Sequence, residues 1–189
     1  FNKFISSIDD KLYYSLYTTL YYTGMRLGEC LALKWNDFID DYIDINKTIG
    51  KSKNNGEYII TTPKTMSSIR KIKLDDKTKN ILLELKEYYK KIPNFSNDWF
   101  IFGGINAMAQ TTIGRRKDEY CKKGNVKRIK IHDFRHSHAT LLLSEGVPIT
   151  VISKRLGHSD ITMTLNTYSH LVPEDEDKAI NIDRKSTRL

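Results

Sequence analysis

The stretch that decides the fold spans residues 132–168 and reads HDFRHSHATLLLSEGVPITVISKRLGHSDITMTLNTY. Two breaks divide it, at Gly146-Val147-Pro148 and at Gly157-His158-Ser159-Asp160, because glycine and proline interrupt helices. The stretch therefore predicts three consecutive helices, near residues 133–145, 148–156 and 160–169.

Outside this stretch the sequence predicts more helices and a small sheet. A first helix is expected from a cap at Ser7 or Asp9 to Gly24. Further helices are expected over 28–33, 77–91, 107–123 and 174–181. Residues 42–45 alternate like a strand, and 58–61 and 69–74 indicate two more. The fold class is therefore α+β, a mainly α-helical single domain with a small three-stranded antiparallel sheet near the N-terminal third.

The segment between the first two predicted strands is polar. Residues 50–56 are expected to form a loop, with Asn55-Gly56 as a favoured hairpin turn.

The chain is basic, with a net charge of +8 from 31 Lys and Arg against 23 Asp and Glu. The segment 115–130 alone holds eight basic and two acidic residues, a net +6. A surface of this sign favours double-stranded DNA or another nucleic acid as the partner, with membranes and acidic proteins as rivals. A solvated helix face explains the basic segment equally well.

Composition also indicates the cellular compartment. No apolar run approaches the roughly 20 residues that span a bilayer, and residues 1–3 do not open a secretory leader. Cys30 and Cys121 are too few for a disulfide framework or a four-thiolate metal site. These features predict a cytoplasmic protein with reduced thiols and no membrane partner.

Five side chains suit the chemistry of a phosphodiester: Arg26, His132, Arg135, His158 and Tyr168. Arginine binds phosphate oxygens bidentately and keeps its charge. His132 and Arg135 are three residues apart, so a helix places them on one face. The ordinary pKa of a tyrosine is about 10, so Tyr168 needs a base or strong polarisation before its oxygen attacks phosphorus.

The wording and order of these motifs resemble the tyrosine recombinases, the phage integrase family. The matching boxes are Thr23-Gly24-Met25-Arg26-Leu27-Gly28-Glu29, His132-Asp133-Phe134-Arg135, Leu156-Gly157-His158 and Thr167-Tyr168-Ser169-His170. The resemblance covers nearly the whole chain. It implies a site-specific recombinase or integrase of a bacterial mobile element or prophage, which cleaves and rejoins DNA through a 3′-phosphotyrosyl intermediate.

The resemblance also implies a role for each residue. Arg26 and Arg135 would clamp the scissile phosphate. His132 would hydrogen-bond that phosphate and is a candidate acceptor of the tyrosine proton, while His158 would bind a non-bridging oxygen. Tyr168 would attack and free a 5′-hydroxyl. Because the ester keeps the bond energy and the cations supply the field, the resemblance implies no cofactor, no ATP and no metal.

Two more residues complete the predicted site. Lys64, on the connection between the second and third predicted strands, matches the general-acid lysine of the family. Its rivals for this role are Lys51, Lys53 and Lys71. Glu29 follows Arg26 by three residues and either holds its guanidinium in place or forms an ordinary surface pair.

A zinc site is the sharpest rival interpretation of the opening motif. His132 and His136 have the i, i+4 spacing of helical zinc sites in metalloproteases. Zinc is disfavoured because the shorter Asp133 replaces the glutamate of that motif and Arg135 would repel a dication. The remaining histidines are interpreted as structural and take no catalytic step: His136, His138 and His170.

Two other functions stay open from the sequence. A DNA-binding module without chemistry fits the charge, but it has no need of Tyr168. A type IB topoisomerase shares the active-site chemistry, but it relaxes supercoils and does not join two DNAs.

The chain is expected to divide into a catalytic domain, 1–171, and a C-terminal tail, 172–189. The resemblance suggests that the tail docks on a neighbouring protomer, which would give a tetramer on DNA. Arg26 lies so close to Phe1 that the N-terminal DNA-binding domain of the family does not fit before it, so the chain is expected to be a fragment.

Overall fold

The structure is a computed structural model, and it describes residues 1–51, 58–63 and 65–168. The helices of these ranges are α1 (Asn2–Ile5), α2 (Lys11–Thr23), α3 (Leu27–Ala32), α4 (Asp76–Lys90), α5 (Gln110–Lys123), α6 (His132–Ser144), α7 (Ile149–Leu156) and α8 (Ile161–Tyr168). The strands are β1 (Phe38–Ile39), β2 (Tyr42–Ile45), β3 (Thr48–Lys51), β4 (Tyr58–Thr61) and β5 (Arg70–Lys73). The predicted α+β class, mainly helical with a small antiparallel sheet, is confirmed. The predicted Asn55-Gly56 turn and the helix over 174–181 lie outside the described residues.

The three-stranded sheet has a different membership from the predicted one. Its order is β1-β2-β5, while β3 and β4 form a separate antiparallel pair. The assignment of 58–61 to the same sheet as 42–45 is therefore wrong. Ile43 pairs with Ile72, and both are buried, whereas Ile59 and Ile60 of β4 are 44% and 48% exposed. Burial of β2 against β5 favours that pairing, and β4 pairs with β3, its neighbour along the chain, which costs less loop-closure entropy.

Helix α2 begins and ends at residues with clear physical reasons. Its cap is Asp10, one residue after the predicted Asp9, and the carboxylate accepts from the backbone N–H of Leu12 at 2.8 Å and of Tyr13 at 3.3 Å. Its last turn closes on Gly24 as predicted, with φ +65°. This left-handed conformation suits glycine and turns the chain directly into the segment that carries Arg26.

Two hydrophobic clusters organise the molecule. The larger one is built on α2, whose Leu16 and Tyr17 are fully buried, and it extends to the sheet and to α4 and α5. The smaller one joins α6, α7 and α8, and its buried members are Ala139, Leu143, Ile152, Leu156 and Tyr168. The smaller cluster therefore sets where the tyrosine at the end of α8 lies relative to α6.

Arg155 ties α7 to the rest of the domain. Its guanidinium donates to the carbonyl oxygens of Tyr22 and Lys73 at 3.2 Å, and its Nε donates to His138 Nε2 at 3.1 Å. One side chain thus connects α7 with α2, β5 and α6. In the described ranges no helix is long and apolar enough to cross a membrane.

Candidate active site

Arg26 is fixed at the start of α3 by Glu29. Glu29 Oε2 accepts from the backbone N–H of Arg26 at 2.9 Å, and Glu29 Oε1 accepts from Arg26 Nη1 at 2.9 Å. Glu29 is only 3% exposed, whereas the Arg26 side chain is 38% exposed, so the pair is buried on the Glu29 side and is not an ordinary surface pair. The first of the two predicted interpretations of Glu29 is confirmed: it holds the Arg26 guanidinium in place.

Arg70 is a second partner of Glu29 that the sequence analysis missed. Its Nη2 donates to Glu29 Oε2 at 2.9 Å, its Nε donates to the carbonyl of Arg155 at 2.7 Å, and its Nη1 donates to the carbonyl of Ser68 at 3.0 Å. Burial alone would raise the pKa of Glu29, but the hydrogen bond and charge of Arg70, aided by Arg26, hold it below its ordinary value. Arg70 therefore links the sheet to α3 and to the end of α7.

Arg135 lies beneath the site, on α6. It is 3% exposed, and its Nη1 donates to the carbonyl oxygen of Gly24 at 2.8 Å. Its Nη2 is buried without a hydrogen-bond partner among the described residues. Burial, and then the charge of Arg26, lowers the pKa of Arg135 to about 9, so the guanidinium remains cationic at neutral pH. A buried cation with an unused donor needs an anionic acceptor.

His158 follows Gly157, which ends α7 in a left-handed conformation with φ +70°. Its Nδ1 lies 2.7 Å from the hydroxyl of Thr164, a fully buried residue of α8. Burial, followed by the charges of Arg135 and Arg26, lowers the pKa of His158 to about 4. At neutral pH the ring is therefore uncharged, and it is held in place through one of its two nitrogens.

His132 and His136 meet on one face of α6. Their rings are edge to face, with centroids 4.7 Å apart. Burial, then the charges of His136 and Arg135, lowers the pKa of His132. His136 Nδ1 lies 2.7 Å from the phenol oxygen of Tyr168. The sequence shows the i, i+4 relation of His136 to His132, but it does not show the contact of His136 with Tyr168.

Tyr168 is the last described residue of α8 and is 5% exposed. Its ring belongs to the smaller hydrophobic cluster, while its hydroxyl faces His136. Burial raises the pKa of Tyr168, and the charge of Arg135 opposes this rise. The phenol is therefore protonated at neutral pH in this structure and needs an acceptor before it acts as a nucleophile.

The site has an excess of positive charge. Arg26 and Arg70 share the single carboxylate of Glu29, and Arg135 contacts a carbonyl oxygen. Three guanidinium groups against one carboxylate leave two positive charges in excess. An anion that enters the site would offset the cost of holding these charges together.

An open cleft of about 320 Å³ lies beside these cations. It is lined by Arg26, Glu29, Thr48, Pro63, Thr65, Ser68, Gly157, Ser159 and Met163. Tyr168 is not part of this lining and belongs to the smaller hydrophobic cluster. Lys64, the predicted general acid, and its rival Lys53 lie outside the described residues, although Pro63 and Thr65 on either side of Lys64 line the cleft.

Several cations of the basic segment 115–130 pair with acidic side chains. Lys117 is 5% exposed and pairs with Asp118, which also accepts from Arg128 at 2.9 Å. Arg116 pairs with Glu119 at 3.0 Å. These pairs join α5 to the loop that follows it, and the net charge of +6 already counts both acidic partners.

The fold and the site define a class of protein: a mainly helical α+β domain in which cationic side chains form an anion-binding site next to a buried tyrosine. Residues 2–175 match the model of the phage integrase family, and the chain belongs to that family. The predicted resemblance is thus confirmed.

Curated relatives support the same assignment. The ICEBs1 integrase of Bacillus subtilis (strain 168) is 36% identical over 184 residues, which are 93% of this chain and 50% of that protein. The integrase of Staphylococcus phage L54a is 34% identical over 159 residues, 79% of this chain and 45% of that protein. The chain spans about half the length of the curated relatives it matches.

Solved structures show the same fold. The Tn1549 transposon integrase in complex with circular intermediate DNA matches with a TM-score of 0.76 at 24% identity, over 98% of this chain and 63% of that chain. XerA recombinase matches with a TM-score of 0.68 at 22% identity, over 100% of this chain and 62% of that chain.

Proposed function

We propose that the chain is the catalytic domain of a site-specific tyrosine recombinase that cleaves and rejoins double-stranded DNA. The observation that carries the proposal is the buried Arg135, whose unused donor and excess charge adjoin the Tyr168 phenol. A phosphodiester supplies the anion that these cations lack, and its phosphorus is the electrophile that a phenol oxygen attacks. Family membership and the names of the relatives support the same reaction.

The proposed step begins with the phosphate between the arginines. Arg26 and Arg135 bind its non-bridging oxygens, and neutral His158 donates a further hydrogen bond. His132, on the same face of α6 as Arg135, adds another donor. These contacts strengthen as charge develops on phosphorus, so they lower the barrier.

The covalent step then exchanges one ester for another. The Tyr168 oxygen passes its proton to a histidine of α6 and bonds to phosphorus. The bond from phosphorus to the 5′ oxygen breaks, and the 5′ oxygen takes a proton from Lys64. The product is a 3′-phosphotyrosyl ester and a free 5′-hydroxyl. Attack by a 5′-hydroxyl of the partner strand reverses the step, so no external energy source is needed.

The assembly proposal concerns the end of the chain. Residues 1–171 would form the catalytic unit, and 172–189 would dock on a neighbouring protomer and build a tetramer on DNA. The acidic run at 174–177 and the apolar residues that follow support such a segment. The reaction would take place in the cytoplasm of the bacterial host, where its DNA substrate lies.

A suicide-substrate assay tests the proposed function. Nicked duplexes tiled across the DNA that flanks the gene of this chain release a short strand after cleavage, which traps the covalent complex. We expect an adduct with the wild type, none with Tyr168→Phe, and wild-type adduct with the control Tyr88→Phe, because Tyr88 is 59% exposed on α4. An equal adduct with Tyr168→Phe would contradict the assignment.

The same duplexes separate recombination from topoisomerase action. A recombinase joins the trapped strand to the 5′-hydroxyl of a second duplex that carries the same site. A topoisomerase relaxes a supercoiled plasmid and gives no joint product. The names of the relatives favour the joint product.

A further inference from the structure

The phenol of Tyr168 has a specific polar partner. His136 Nδ1 lies 2.7 Å from the Tyr168 oxygen, the length of a strong hydrogen bond. Because the tyrosine is 5% exposed, this contact stands where bulk water has little access. The phenol hydroxyl therefore has a nitrogen within hydrogen-bond distance that could take its proton.

The fold builds this contact. His136, Ala139 and Leu143 follow one another at i, i+3 and i+7, so they share one face of α6. Ala139 and Leu143 pack with Tyr168 in the smaller hydrophobic cluster. The packing that places the ring therefore also places the hydroxyl at His136.

We propose, on the basis of the proposed function, that His136 is the general base that takes the proton of Tyr168 as its oxygen bonds to phosphorus. His132, the acceptor that the family resemblance suggests, would then serve the phosphate. The rings of His132 and His136 meet edge to face. Among the described contacts, the hydrogen bond to Tyr168 comes from His136 and not from His132.

The proton balance closes without another reagent. The proposed acceptor form of His136 carries its proton on Nε2 and presents the lone pair of Nδ1 to the phenol. As the bond from oxygen to phosphorus forms, the phenol proton moves to Nδ1 and the ring becomes an imidazolium. The leaving 5′ oxygen receives its proton from the separate acid, Lys64. In the reverse step the released phenolate recovers its proton from His136.

A bound phosphate would stabilise the imidazolium form of His136. An imidazolium at His136 would directly follow Arg135 in the chain, with its ring centroid 4.7 Å from that of His132. The phosphate brings negative charge to the same cations, so the transfer is favoured once DNA is present. The base would thus be most effective in the complex with DNA.

Kinetics of adduct formation test the proposal. Single-turnover rates are measured on the active nicked duplex for wild type, His136→Ala, His136→Asn and the control Ser137→Ala, an exposed neighbour on the same helix. The amide of asparagine keeps a hydrogen-bond partner near the Nδ1 position but takes no proton. We expect both His136 variants to lose about 10²-fold or more in rate, and the Ser137 variant to match wild type.

A modified DNA duplex distinguishes the role of the general base, His136, from that of the general acid, Lys64. Sulfur in place of the bridging 5′ oxygen leaves as a thiolate and needs no proton. This substrate should restore Lys64→Ala and leave the His136 variants slow. Full activity of His136→Asn would show a positioning role only and would overturn the proposal, as would restoration of the His136 variants by the sulfur substrate.

Nitrogen NMR of labelled histidines tests the contact without DNA. We expect the Nδ1 signal of His136 to be that of an unprotonated, hydrogen-bonded nitrogen and to shift in Tyr168→Phe. An unchanged signal would overturn the proposed pairing. No adduct from the wild type on any duplex would instead overturn the proposed function, and the NMR result then tells whether the pairing itself exists.

Discussion

Glu29 shows how one residue fixes the predicted phosphate site. Its two oxygens accept from the Arg26 backbone, the Arg26 side chain and Arg70, and the carboxylate is almost fully buried. Loss of its charge would leave a buried guanidinium without a counterion, which costs far more than loss of a surface pair.

Glu29→Gln tests this role through stability. We expect the free energy of unfolding at neutral pH to fall by about 3 kcal/mol. The control Glu87→Gln, which breaks an exposed pair with Lys90, should change it by less than about 0.5 kcal/mol. Denaturant unfolding measures both, and equal small effects would contradict the buried ion pair.

The ion pairs of Glu29 with Arg26 and Arg70 predict that the stability of the fold depends on pH. The pKa of Glu29 is held below its ordinary value of 4.5, so its stabilising contribution is full above pH 4.5 and is lost as the pH falls through the lowered pKa. The difference in stability between wild type and Glu29→Gln should therefore shrink in acid. Urea midpoints from pH 7 down to pH 3 would show it; a difference that stays constant would be inconsistent with an ionised Glu29.

Thr164 orients the ring of His158. Thr164→Val removes the hydroxyl that contacts Nδ1 but keeps the shape of the buried side chain. One lost hydrogen bond of about 1 kcal/mol predicts a drop of about fivefold in the adduct-formation rate. Thr164→Ser keeps the hydroxyl and should retain most of that rate. Equal rates for both variants would show that this contact has no part in the reaction.

Some of these residues can be predicted from the sequence and others cannot. Arg26, Arg135, His158 and Tyr168 lie in motifs whose local wording and order carry the signal. Arg70 acts on Glu29 from 41 residues away, through a strand pairing that local patterns do not specify. The bond from His136 to Tyr168 likewise depends on how α6 and α8 pack.

At the scale of elements, the junction between α2 and α3 is the most constrained part of the site. The carbonyl of Gly24 accepts from Arg135, and a Cβ at Gly24 would lie 2.5 Å from the ring of His138. The positive φ of Gly24 adds a backbone cost for any other residue. The end of one helix thus places an arginine from another.

Gly24→Ala is therefore expected to destabilise the fold and to disturb Arg135. Gly146→Ala is the matched control, because Gly146 also has a positive φ but no atom lies within 4 Å of its added Cβ. The control should cost about 1–2 kcal/mol from the backbone alone, and Gly24→Ala should cost clearly more and reduce adduct formation. Thermal unfolding compares them, and equal losses would argue against the close approach of His138.

The sequence predicts where the strands lie but not which strands pair with each other. The sequence correctly locates β2, β4 and β5, and the alternation of residues 42–45 is the local signal for β2. It does not tell which strands pair, since this is decided by burial of Ile43 against Ile72 and by the proximity of β3 to β4. The strand β3 itself lies partly in the segment predicted as a polar loop.

For the whole molecule, charge matters less through its total than through its placement. Several cations of the segment 115–130 are paired with acidic neighbours. At the site, Arg26 and Arg70 share the one carboxylate of Glu29, while Arg135 donates to a carbonyl oxygen. DNA is expected to be held at the cleft through the two positive charges that Glu29 does not balance, in addition to the basic segment, and binding should weaken with salt as counterions return.

Salt titrations of DNA binding test this placement. The logarithm of the binding constant should fall linearly with the logarithm of salt concentration. Arg26→Ala should make that slope shallower by about one unit, because one phosphate contact is lost. Lys90→Ala, which removes a cation paired with Glu87, should leave the slope unchanged. Equal slopes for all three proteins would show that Arg26 does not contact phosphate.

The central claim is that Tyr168 becomes covalently joined to DNA. The most direct measurement is to trap the adduct on a nicked duplex, digest it with nuclease and protease, and locate the attached nucleotide by tandem mass spectrometry. We predict a nucleotide joined through its 3′ phosphate to Tyr168, with a free 5′-hydroxyl on the released strand. A nucleotide on any other residue, or one joined through a 5′ phosphate, would contradict the account.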